Sequence, residues 1–152
     1  MPKLSKILVP VDFSPSSKAA LEYAVFLSEK TGAEIQVLHA WEVPAYLRPD
    51  LTVWSGEVSA TLADHAKQEA EKAMHAFLSD SKLEGRKGLE YEIVYGAPYA
   101  TILSAIESGG YDLVAMGTHG RSGLSHLVLG SVAEKIVRHA KCPVLTIRAH
   151  KD

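Results

Sequence analysis

The sequence predicts an α/β fold: an open, doubly wound sandwich with a five-stranded parallel sheet and four helices. Three observations predict it. Short apolar runs of β type alternate along the chain with segments whose apolar residues recur at helical spacing. Leu113-Val114-Ala115-Met116 is continuously apolar, the pattern of a strand buried on both faces of a parallel sheet. The chain has 152 residues, room for one ordinary domain spanning 1–152 and no comfortable second one.

The elements follow in order. Ile7-Leu8-Val9-Pro10-Val11 is a β-type run that ends at Asp12. Ser14 suits a helix N-cap and Pro15 the first helical position. Ala20, Leu21, Ala24, Val25 and Leu27 form a helical stripe, and Gly32 is placed to stop it. Ile35 to Ala40 is the second strand. Residues 42–58 contain Pro44, Pro49 and Gly56 without a clean period, so a long loop is expected there, either a lid or an excursion. Leu62, Ala66, Ala70, Ala73, Phe77 and Leu78 share one face of a longer helix. A charged turn, Lys82 to Gly88, leads to Leu89–Tyr95, whose alternation fits a half-exposed strand at a sheet edge. Gly96-Ala97-Pro98 turns into a helix carrying Ile102, Leu103 and Ile106. After the buried strand comes a glycine-rich stretch. Val132, Ile136, Val137 and Ala140 then mark the last helix, Cys142-Pro143 ends it, and Val144-Leu145-Thr146-Ile147 is the fifth strand.

Composition excludes several classes. With 16 Lys+Arg against 18 Asp+Glu the chain has no basic field for nucleic acid. Cys142 is the only cysteine, so no intramolecular disulfide forms and a reducing compartment, the cytoplasm, is expected. No apolar run approaches the ~20 residues that span a bilayer, and the first residues lack the long apolar stretch of a signal peptide. A soluble chain without membrane insertion is the reading.

In an open α/β sheet ligands bind beyond the carboxyl ends of the strands, where strand order reverses. That directs attention to Asp12, Ala40-Trp41, Gly96 and above all Gly117 to Gly130. Glycine admits close backbone approach. Gly130-Ser131 opens a helix whose first amides lack intrahelical partners, the combination from which anion sites are made. Arg121 adds a cation; the alternative is a surface loop that needs glycines only to turn. No lysine precedes Ser131, so the Walker phosphate loop is missing, and the turn after the first strand has no glycine of a dinucleotide fingerprint. None of the 7 histidines has the spacing of a transition-metal site, although His119 and His126 stand in the loop. Trp41, Tyr46 and Trp54 either cover a bound base or belong to a hydrophobic surface loop. Cys142 reads as a packing residue rather than a redox nucleophile.

Gly117-x2-Gly120-x9-Gly130-Ser131 resembles the G-2x-G-9x-G-[ST] signature of the nucleotide-binding universal stress proteins. The resemblance extends over nearly the whole chain, through Ile7 to Ser14, Leu38-His39-Ala40, Gly96-Ala97-Pro98, Met116 to Gly120, Leu129 to Val132 and Pro143-Val144-Leu145. It implies a sheet ordered 3-2-1-4-5 and a bound ATP, with Mg²⁺ held mainly through the phosphates. Pro10, Val11, Asp12 and Ala40 would face the adenosine, with Asp12 on the ribose hydroxyls. Met116 and Gly117 would pack near the sugar. Gly120, Gly130, Ser131 and Val132 would hold the phosphates, with His119 and Arg121 in reach. Two other roles stay open: Asp12 as a local turn contact beside Ser14, and Ser131 as a plain helix cap. The resemblance also implies a symmetric homodimer through the 143–148 edge strand. The function expected is an ATP-binding stress-response module that acts by nucleotide-dependent association with a further protein. The alternatives are a slow ATPase, for which neither a phosphate-binding lysine nor a general base is evident, and an interaction protein that uses no nucleotide.

Overall fold

The computed structural model describes residues 1–44, 46–55, 58–119 and 129–149, and for 53–55 and 58–60 the backbone alone. Its elements are β1 (Lys6–Pro10), α1 (Pro15–Thr31), β2 (Glu34–Trp41), β3 (Thr52–Ser55), β4 (Val58–Thr61), α2 (Leu62–Asp80), β5 (Leu89–Tyr95), α3 (Pro98–Gly109), β6 (Leu113–Gly117), α4 (Ser131–His139) and β7 (Val144–Ile147). Five strands form one parallel sheet in the order β5-β2-β1-β6-β7. Counting those five alone, this is the expected 3-2-1-4-5. The order reverses between β1 and β6, which are neighbours although a hundred residues of chain separate them.

Period-2 alternation sends the apolar residues of each central strand to both layers. Ile7 and Val9 of β1, with Ile35, Val37 and Ala115, meet Leu21 and Ala24 of α1 and Met74 and Phe77 of α2. Leu8, Leu38, Val114 and Met116 meet Ile102 and Ile106 of α3 and Ala133 and Ile136 of α4. Ile7, Leu8, Val9, Val37 and Val114 are fully enclosed, each contributing about 1.5–3 kcal/mol by leaving water. The continuous apolar run at β6 is thus explained by cover on both faces.

Helix ends obey local chemistry. Ser14 caps α1 by accepting from Ser17 N at 3.2 Å, Pro15 stands in its first turn, and Gly32 ends it at φ +75°. In α4 the N-cap is Gly130, with no side-chain cap; Ser131 is already helical, so the capping role open to it is not taken. That helix ends at His139, with Ala140 already extended at its C-cap, earlier than Cys142-Pro143.

One expectation is corrected. The stretch expected as a loop contains an antiparallel hairpin pairing Thr52 with Thr61 and Ser55 with Val58. Strands of four residues leave too little alternation to register as a period. The hairpin delivers the chain directly into α2, where Thr61 and Asp64 form a reciprocal capping box.

Candidate functional site

The turn after β1 is fixed from three sides. Val11 N donates to Leu38 O at 2.8 Å, and His39 Nδ1–H donates to Val11 O at 2.8 Å. Phe13 adopts φ +65°, a left-handed conformation that costs a residue with a Cβ roughly 1–2 kcal/mol. Its ring is held by His39 at 4.3 Å between centroids and by Phe77 of α2 at 5.5 Å. Ser14 N donates to Asp12 Oδ1 at 3.0 Å. The local turn contact is therefore present, and Asp12 nevertheless faces a cavity; the two readings coexist.

Across the strand reversal, β6 ends in Gly117, Thr118 and His119. The Ser16 hydroxyl donates to His119 O at 2.5 Å, and Thr118 Oγ1 lies 2.8 Å from His119 Nδ1. A Cβ on Gly117 would fall on Ser16 Oγ and lie 2.7 Å from Ser16 C and 2.8 Å from Ser17 N. Gly130 N donates to Thr118 O at 2.6 Å, and a Cβ on Gly130 would lie 2.9 Å from that oxygen. These two glycines let protein backbones meet, and both also line a cavity. They draw the N-termini of α1 and α4 onto the end of β6.

The first intrahelical bond of α4 runs from Glu134 N to Gly130 O. The amides of Ser131, Val132 and Ala133 precede it, and all three residues line the cavity. Such a terminus carries roughly +0.5 of an elementary charge.

The cavity measures about 280 Å³, at the lower end of the range for small-molecule clefts, about 300–1,000 Å³. Pro10, Val11, Asp12, Ala40, Met116, Gly117, His119, Gly130, Ser131 and Val132, drawn from four separate stretches of sequence, all line it. Gly120 and Arg121 lie outside the described residues. The sequence reading missed Ser14, Ser17, Thr118 and Ala133, and an apolar wall made of Leu38, Pro98 and Ile102. Leu38 had a signal, since it shares a strand face with Ala40; Pro98 and Ile102 arrive from across the sheet. Trp41 is turned to the other face, where it packs edge-on against Tyr95 at 4.8 Å, and neither it nor the exposed Tyr46 lines the cavity. The side chain of Trp54 and the whole of His126 lie outside the described residues. Away from the site, burial pushes the Cys142 thiol up, its own backbone N–H pulls it back less strongly, and the Asp112 carboxylate adds a still smaller upward push. A thiol so placed packs better than it attacks.

Residues 3–148 match the model of the Universal stress protein family. Universal stress protein YxiE of Bacillus subtilis is 33% identical over 149 residues, covering 95% of this chain and 99% of its own. The structure of universal stress protein UspA from Lactobacillus plantarum aligns at a TM-score of 0.76 with 28% identity, over 97% of this chain and 100% of that one. A universal stress protein family protein from Arabidopsis thaliana, solved with AMP bound, shares the fold at a TM-score of 0.63 with 22% identity, over 97% and 94%.

Proposed function

The chain belongs to the universal stress protein family, and we propose that its cavity binds ATP and that occupancy governs association with another protein. One observation carries the reading: a carboxylate, Asp12, and the uncapped N-terminus of α4 line the same cavity at the strand reversal. A carboxylate suits paired sugar hydroxyls, and unpartnered amides suit phosphate. The wall of Leu38, Ala40, Pro98, Ile102 and Met116 supplies the apolar contact a purine requires. The Ser131 hydroxyl and the amides of Ser131, Val132 and Ala133 would take the phosphates. Mg²⁺ would enter with the nucleotide, held through its phosphates. The AMP-bound relative supports the ligand class.

Isothermal titration with MgATP tests this. Asp12→Asn keeps an oxygen for Ser14 N but loses the charge, and charge-assisted hydrogen bonds are roughly twice as strong as neutral ones. Wild type should bind, and the variant should bind about tenfold more weakly, a loss of ~1.4 kcal/mol. Absence of wild-type binding, or equal affinities in the two proteins, overturns the assignment.

The same reading takes the chain as a symmetric homodimer through the edge formed by 143–148. Among the described residues β7 pairs with β6 only. Val144, Leu145 and Ile147 make it apolar and uncharged up to Arg148, and a bare edge of that kind invites pairing with its own copy. Sedimentation velocity should show a dimer at micromolar concentration and a monomer for Leu145→Lys. A monomeric wild type removes this interface.

A further inference from the structure

The opposite edge of the sheet is built differently. Among the described residues β5 pairs with β2 alone. At the two ends of that ladder Ile35 N donates to Gly88 O at 2.8 Å and Gly96 N donates to Trp41 O at 2.9 Å. Alternate residues of a parallel strand bond to the same neighbour, so Glu90, Glu92 and Val94 also turn their amide groups to β2. Tyr91, Ile93 and Tyr95 turn theirs outward, and among the described residues nothing pairs with them. Tyr91 also lines a cleft of about 460 Å³ between the edge and the C-terminal half of α2. His75, Leu78, Glu84, Glu90 and Tyr91 line it. His75 bridges the other two polar tips, with Nδ1 3.4 Å from Glu84 Oε1 and Nε2 3.3 Å from the Tyr91 hydroxyl.

The side chains along this edge are sorted by face. Glu90 and Glu92 project exposed on one side, with Glu84 at the mouth of the cleft. Tyr91 and Tyr95 project on the other and are 40% and 53% exposed. Of the cations in the preceding turn, Arg86 is directed at Glu29, 3.9 Å away, and Lys87 stands before the strand begins. A second copy of the chain is a poor occupant. Two-fold antiparallel pairing of β5 with itself sets Glu92 directly against Glu92 or Glu90 when centred on Glu92 or Tyr91, and sets the two Glu92 diagonally across the ladder when centred on Ile93; like charges so placed disfavour the pairing. The carboxylates thus guard the edge against its own kind while leaving the backbone accessible to a strand of opposite charge.

We propose that the β5 edge and its cleft form a docking strand for an extended segment of a partner protein that alternates basic with apolar residues. Main-chain hydrogen bonds to Tyr91, Ile93 and Tyr95 give the segment its register. Its lysines or arginines meet Glu90 and Glu92, and its apolar residues cover Tyr91 and Tyr95. This surface is independent of the nucleotide reading.

Fluorescence anisotropy with a short labelled peptide alternating lysine with valine tests the proposal. Two control peptides accompany it: one with glutamate in place of lysine, and one with the valines replaced by proline, which cannot donate to a ladder. Wild type should bind the basic peptide and bind both controls at least about tenfold more weakly. The double variant Glu90→Lys/Glu92→Lys changes only exposed side chains, and should lose the basic peptide and gain the acidic one. No binding of the basic peptide overturns the proposal. So does equal binding of the proline control, which needs no variant to fold, or equal binding of the basic peptide by the charge-reversed protein.

Discussion

Replacing Gly117 by alanine tests the close approach on which the site is built. The added Cβ meets Ser16 Oγ, which can rotate, and the Ser16 C and Ser17 N atoms, which cannot. Those backbone atoms lie about 0.6–0.7 Å inside the 3.4 Å at which ordinary contact begins. The first turn of α1 must retreat from β6 by about that amount. Overpacking of this kind costs typically 1–3 kcal/mol, and for a chain of this size each kcal/mol lowers Tm by about 2–4 °C. A fall of about 2–12 °C is expected in a melt followed by circular dichroism. Because Ser14 and Ser17 line the cavity from that same turn, nucleotide affinity should fall with it. Gly32→Ala is the control. Its φ of +75° makes alanine unfavourable, but its Cβ would meet nothing within 4 Å, so it should cost about 1 kcal/mol and leave binding unchanged. A Gly117→Ala protein that melts within 1 °C or so of wild type would refute the reasoning, because α1 and β6 could not then be in contact at this point.

Two further outcomes are expected. Hydrolysis of bound ATP, assayed as steady-state phosphate release, should run well below the 1 s⁻¹ or so that marks the low end of typical turnover; brisk, saturable release abolished by Ser131→Ala would contradict this. Burial raises the Cys142 thiol above its usual 9.0 and, with Glu92 adding to it, the Tyr111 phenol above its usual 10.0. The unfolded chain then releases these protons at lower pH than the folded one, so stability is intact below about pH 9 and declines as pH rises above it. Melts of wild type beside Cys142→Ser and Tyr111→Phe should show a shallower alkaline decline in the variants, and identical slopes would remove the assignment.

What the sequence disclosed and what it withheld divide along a physical line. Ser14, Pro15 and Gly32 act through their own backbones within one turn, so the limits of α1 were readable directly. The strand reversal was readable because alternating strands and helices permit few topologies. The hairpin at Thr52–Thr61 was not, since pairing across four-residue strands leaves almost no periodic trace. Gly117 and Gly130 stand out in the sequence, but what a Cβ at either would meet does not: Ser16 and Ser17 lie a hundred residues from Gly117, and Thr118 a dozen from Gly130. Pro98 and Ile102 carry no local mark of their place beside Asp12, because a crossover of the chain puts them there.

The left-handed Phe13 ties two layers of the molecule together at one residue. Its ring is anchored among His39 and Phe77 on the α2 side, while its neighbours Asp12 and Ser14 look into the cavity at the sheet's end. A shift of the backbone on the cavity side of this turn therefore disturbs an aromatic ring in the opposite layer. Were the proposed nucleotide to bind, the turn that carries Asp12 would already be ordered, which spares binding that entropy. It also means that the sensitivity of the cavity can be retuned from behind, by altering the aromatic seat at Phe77 without touching a single residue that lines the pocket.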